Sequence, residues 1–169
     1  MNSSDAKQII GSNTLVTVGN IADVPAKIDT GADSSSVWAS DINVTPDGAL
    51  QFKLFAPGCP YYNGQVHETT QYKVGVVRSA TGEEQTRYRV HLPITLAGRR
   101  IKVFFTLADR SRNNFPILIG KRTLRGKFIV DVSQSAIPSP KNPRTPGLNR
   151  ELRADPQAFH NKHMKGANS

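Results

Sequence analysis

Cysteine is almost missing from this chain of 169 residues, with Cys59 standing alone. One cysteine excludes an intrachain disulfide framework and a cysteine-based zinc site, and it fits a reducing compartment. Long apolar runs are missing too. No stretch approaches the ~20 residues a bilayer-spanning helix needs. Between Met1 and Gly11 only Ile9 and Ile10 are consecutive apolar residues, so no signal-peptide core is visible. These absences lead us to expect a soluble, cytoplasmic protein with no membrane partner. Histidine is sparse: His67, His91, His160 and His163 include no His-Glu-x-x-His, so no metal is expected. A phosphate-cradling Gly-x-x-x-x-Gly-Lys-Ser/Thr loop is absent, and no cofactor is expected. Cys59, within Pro57-Gly58-Cys59-Pro60, has no recognisable catalytic partner, and no Ser-His-Asp set is apparent.

Acids are scarce as well. Thirteen Asp and Glu face 22 Lys and Arg, giving a net charge of +9. Residues 133–169 hold six of the basic residues and two acids, so +4 sits there and +5 in the rest. Such a balance permits contact with nucleic acid through counterion release. No recognition motif accompanies it, so nucleic acid stays a secondary reading. It would use the basic tail and a stripe of Arg87, Arg89, His91, Arg100 and Lys102.

What the chain has is a succession of short β patterns broken by Gly, Pro, Asn and Asp, an all-β signature. Strands are predicted over 14–18, 24–29, 36–39, 50–55, 86–96, 100–107 and 128–132, with 66–77 forming one strand or two. Tight turns are predicted at Ala97-Gly98 and at Ala80-Thr81-Gly82-Glu83. A short helix is predicted over 121–125, stopped by Gly126. After Ser133 come Pro138, Pro140, Pro143 and Pro146, which interrupt ladders and helices alike. The predicted organisation is a β-barrel domain over 1–132 and a Pro-rich basic tail over 133–169. The tail is expected to be disordered, with a weak helix over 150–165.

One segment carries chemistry. An apolar strand runs through Ala26-Lys27-Ile28 onto Asp29-Thr30-Gly31-Ala32-Asp33. A carboxylate on a tight turn can accept backbone N–H bonds while holding a water. A following Thr can lock the loop, and a Gly admits a close backbone. Alone, the triplet is three common residues. About ninety positions later Phe115-Pro116-Ile117-Leu118-Ile119-Gly120 supplies an apolar strand ending in glycine, followed by the predicted helix.

With both segments in hand, the stretch from Lys27 through Asp29-Thr30-Gly31 to Ser36 resembles the active-site loop of retropepsins. The stretch from Leu107-Ala108-Asp109-Arg110 through Ile117-Leu118-Ile119-Gly120 to Leu124 is similar to the hallmark of a bacterial and archaeal group of retropepsin-like aspartic endopeptidases. That group is also labelled ATP-dependent zinc proteases, a label nothing in these residues supports. The resemblance spans roughly residues 9–137 and implies a closed, acid-protease-type barrel with one short helix.

It also implies peptide-bond hydrolysis by an aspartate-activated water. Two carboxylates must share a proton for this, one taking the water's proton and the other donating to the scissile carbonyl. The chain offers one Asp-Thr-Gly, so a homodimer with one Asp29 from each copy is expected. Asp109 is the alternative second carboxylate, although beside Arg110 it reads better as half of an ion pair. The expected site comprises Asp29, Thr30 and Gly31 as the catalytic loop. Ala32, Asp33, Gly58, Tyr61 and Tyr62 are expected to contact a peptide or protein substrate, under a flap at 57–71. Asp109, Arg110, Ile119 and Gly120 are expected as structural support. A non-catalytic barrel used for binding is the competing expectation.

Overall fold

The structure is a computed structural model and describes residues 6–78 and 81–166. Eleven strands and three helices are formed among these: β1 (Gln8–Ile10), β2 (Asn13–Val18), β3 (Ile21–Asp29), β4 (Ser35–Val44), β5 (Leu50–Leu54), β6 (Val66–Thr69), β7 (Tyr72–Arg78), β8 (Glu84–Leu96), β9 (Arg99–Ala108), β10 (Ile117–Gly120), α1 (Lys121–Leu124), β11 (Phe128–Val130), α2 (Thr145–Ala154) and α3 (Pro156–His163).

The sheet runs in the order β10-β3-β2-β8-β9-β4, and a further pairing of β4 with β10 closes those six strands into a barrel. Strand alternation explains the closure. On β8, Val90, Leu92, Ile94 and Leu96 are buried while Arg89, His91 and Pro93 face away. On β9, Val103, Phe105 and Leu107 do the same. Ala97 and Gly98 both have positive φ, 50° and 75°, the two-residue turn that matches strand twist in a hairpin. The interior is filled chiefly by branched aliphatic side chains and by Phe52, Phe55 and Phe105.

Two hairpins lie beside this ring. The 66–77 region is two strands, and they go separate ways. β6 pairs with β5, which pairs with β4, outside the closed ring. β7 pairs along β8, with Arg78 opposite Glu84 and an ion pair of 2.6 Å between them. The predicted turn at 80–83 lies partly outside the described residues. Gly82, at φ 87°, is within them.

The first and last strands are tied to each other. β1 pairs in parallel with β11. Residues 133–137, expected as the start of the disordered tail, are fastened to the barrel. Ile137 N donates to the buried Asn13 Oδ1 (2.8 Å), and Asn13 Nδ2 donates to Ile137 O (2.9 Å). Ser12 N donates to Gln134 O at 2.8 Å. Gly11 makes the approach possible, since a Cβ there would lie 2.5 Å from that same oxygen. The compact unit containing the barrel therefore runs to Pro138.

Among the described residues, those from 139 onward form a second unit. Where a tail was expected, this unit has α2 and α3. Asp155 caps α3 by accepting from Gln157 N and Ala158 N, with Pro156 at the first helical position. Glu151 meets Lys162 at 2.6 Å. No described helix is long and apolar enough to cross a membrane.

Candidate active site

Strand β3 is what places Asp29. Its buried Val24, Ala26 and Ile28 face the core, and the chain turns as soon as it reaches the carboxylate. Asp29 Oδ1 accepts from Gly31 N (3.0 Å) and Ala32 N (3.2 Å), so one oxygen is committed to the turn. The turn is then braced by β10. Ile117–Gly120 runs parallel to β3, with Gly120 opposite Asp29. A Cβ on Gly120 would lie 2.6 Å from the Ser34 backbone and 2.9 Å from Ala32 O, so only glycine lets the loop sit there. Gly120 N donates to the buried Ser35 Oγ at 3.0 Å, and Ser35 Oγ is 2.7 Å from Thr123 Oγ1. Lys121 N donates to Ala32 O at 2.8 Å. Sequence reasoning named Ile119 and Gly120 but missed Ser35 and Thr123, whose hydroxyls meet only once β4 and α1 are in place.

Asp33 forms an ion pair with Lys121 at 2.7 Å. The hydrogen bond and charge of Lys121 hold its carboxyl below the ordinary value of 3.8. The pair therefore steadies the folded loop fully above that value and fades as pH falls through the lower folded value. Both partners are exposed, so the contribution is small. Thr30 is exposed, and its hydroxyl has no partner among the described residues. Gly31 does not have a positive φ, and a Cβ there would sit 3.4 Å from Asp29 Oδ1, an ordinary contact.

Asp109 and Arg110 do not form the expected ion pair. Asp109 Oδ1 accepts from Ser111 N at 2.9 Å, which lowers its pKa. Arg110 turns the other way, and its Nε donates to Phe115 O at 3.0 Å, linking the β9 end to the start of β10. Burial, then the charge of Arg87, lowers the pKa of Arg110.

The flap expectation also needs correcting. Ala32 and Asp33 border a cavity of about 400 Å³ whose other walls include Val76, Val77, Arg78, Arg87 and Arg110. The hairpin facing the loop is thus β7–β8, while the 57–71 segment joins β5 to β6 on the far side of β4. None of Gly58, Tyr61 and Tyr62 borders that cavity. Tyr61 meets Phe55 edge-on at 6.0 Å, and both tyrosines pack against the core. Their aromatic character serves burial rather than an open loop. The signal for β7–β8 was present in the turn at 80–83, but nothing local says which hairpin shares a cavity with Ala32 and Asp33.

The closed barrel and the braced Asp-Thr-Gly turn can be set beside known proteins. The profile of the family described as retropepsin-like aspartic endopeptidase RimB matches residues 9–141. The chain belongs to this family. Among solved structures, a Legionella pneumophila protein of unknown function superposes on this RimB-like chain with a TM-score of 0.60 and 25% identity. That match covers 77% of this chain and 97% of the other. Curated relatives include proteins of Shewanella pealeana and Shewanella halifaxensis, each called "Probable alpha-L-glutamate ligase". Each is 28% identical over 146 residues, covering 78% of this chain. A Desulfotalea psychrophila protein of the same name is 24% identical over 136 residues. The chain spans about 30% of the length of these curated relatives.

Proposed function

We propose that this chain is an aspartic endopeptidase, active as a homodimer, that cleaves acidic, glutamate-bearing peptides. The observation that carries the reading is the Asp29 turn. One carboxylate oxygen is held by two backbone N–H groups, on a loop that Gly120 and Ser35 hold rigidly against β10. Rigid support of this kind is what a catalytic carboxylate requires.

In the mechanism, Asp29 of each copy approaches the other across a two-fold axis. Two carboxylates that close cannot both ionise, so the pair holds one proton. The ionised member takes a proton from the water that attacks the scissile carbonyl. The protonated member donates to the carbonyl oxygen, giving a tetrahedral intermediate. That intermediate collapses with proton transfer to the leaving amine. The exposed Thr30 hydroxyl is available to bond across the same axis.

The substrate class follows from charge. Arg87 and Arg110 border the cavity beside Ala32 and Asp33, neither forms a salt bridge among the described residues, and the charge of Arg87 disfavours that of Arg110. A carboxylate between them would relieve that repulsion through charge-assisted hydrogen bonds. Glutamate is favoured because the curated relatives are named as ligases of α-L-glutamate.

The test is cleavage of glutamate-rich and neutral peptides between about pH 4 and 6, where a carboxylate dyad holds one proton. The purified chain is expected to cut the acidic set as a dimer, and Asp29→Asn to abolish turnover while keeping the fold. Cleavage that survives Asp29→Asn would overturn the reading. A strict monomer that binds peptides without cutting them would also do so, leaving a binding barrel.

A further inference from the structure

A second groove, of about 220 Å³ and basic, shares Ser34 with the cavity beside Asp33 and runs along the outer face of β8 and β9. Its walls include Arg89, His91, Lys102, Phe104, Arg122 and Lys127. No acidic residue lines it. None of Arg89, Lys102, Arg122 and Lys127 forms a salt bridge among the described residues.

Arg89 is the most informative of these. Its guanidinium carbon lies 4.2 Å from the Phe104 ring centre, and its buried Nε has no hydrogen-bond partner. Gly75 of β7 makes room for it, since a Cβ there would lie 2.7 Å from Arg89 Cδ. Burial and the neighbouring Arg122 both disfavour its charge. A cation held in place by stacking, short of hydrogen bonds and close to a second cation, is a site prepared for an anion.

We propose that this groove is an exosite that binds the carboxylates of an acidic peptide running on from the catalytic cleft, so that longer acidic chains are held more tightly. The proposal rests on the acidic-peptide reading above and extends it beyond the cleft. A peptide is favoured over nucleic acid because the Phe104 ring in the groove is already stacked by His91 at 4.6 Å and covered by Arg89. The Phe104 ring is therefore not open for a base to stack on.

The test uses the full chain carrying Asp29→Asn, so that binding is read without turnover. Fluorescently labelled oligoglutamates of about four and twelve residues are titrated at fixed low salt. The double variant Arg122→Gln/Lys127→Gln is expected to weaken binding of the twelve-residue peptide about tenfold, and that of the short one less than twofold. Arg150→Gln/Arg153→Gln removes the same charge from the second unit and is expected to change neither. Lys102→Gln gives a third reading if the double variant melts early. Equal loss for both lengths, loss with the second-unit variant, or no loss would overturn the exosite. So would groove-dependent binding of a single-stranded RNA oligomer in place of oligoglutamate. Because binding is read on an inactive chain, failure of the protease reading appears separately, as absence of cleavage in the unmutated protein.

Discussion

Gly120 shows how one residue can serve both fold and site. Its amide donates to Ser35 Oγ, and its missing side chain lets the Ser34 and Ala32 backbone lie against β10. Gly120→Ala would put a methyl group 2.6 Å from backbone atoms that cannot rotate away. The expected cost is about 3 kcal/mol, as for overpacking of a tight interior. In a domain of this size that lowers the melting temperature by roughly 10 °C. Thermal denaturation followed by circular dichroism checks this, and an unchanged midpoint would mean the loop does not depend on that close approach. Arg110 is a different case at the same scale. Its Nε bond to Phe115 O ties two strand ends together, and the rest of its guanidinium borders the cleft.

Elements decide what the residues can reach. The β7–β8 hairpin belongs to the wall that faces Ala32 and Asp33, whereas β5–β6 is attached at the far side of β4. Arg87 lies on the first hairpin and Tyr61 in the segment leading to β6. In steady-state kinetics on a glutamate-rich peptide, Arg87→Gln is expected to raise KM about tenfold with a smaller effect on kcat, the pattern of lost substrate binding. Tyr61→Leu is expected to lower stability by about 1–2 kcal/mol through lost aromatic packing, leaving KM near its original value. The reverse outcome would return the flap role to the 57–71 segment. The outer faces of β8 and β9 also bring Arg89, His91 and Lys102 beside Arg122 and Lys127 of the α1 region, so the basic stripe of the sequence is joined there by residues distant along the chain.

At the scale of the whole molecule, the barrel unit closes on itself through its ends. The pairing of β1 with β11 and the bonds of Asn13 to Ile137 complete it by Pro138. A chain ending at residue 138 is therefore expected to keep the barrel's melting temperature within about 3 °C, because no buried barrel hydrogen bond is lost. Calorimetry on the shortened and full chains makes the comparison, and collapse of the transition would show that α2 and α3 support the barrel.

Local pattern alone determined a good part of this protein. Alternation on β8 and β9, the Ala97-Gly98 turn, the stop at Gly126 and the Asp-Thr-Gly turn each depend on neighbours within a few residues, so they are legible in order along the chain. The pairing of Asp29 with the distant Gly120 was readable too, but only through the resemblance of both segments to those of retropepsins. Tertiary structure decided the rest. Whether Tyr61 or Arg87 faces the cleft depends on which hairpin joins the closed ring, a matter of strand pairing across long separations. The same holds for Asn13 and Ile137, 124 positions apart, whose two hydrogen bonds turn part of the predicted tail into a strap. Proline content marked that segment as unable to form a ladder, but the Asn13 side chain and the Ser12 backbone hold its start to the barrel. For the Asp29 turn, the sequence names the carboxylate, while its rigidity comes from Ser35, Thr123 and Gly120 meeting across three elements.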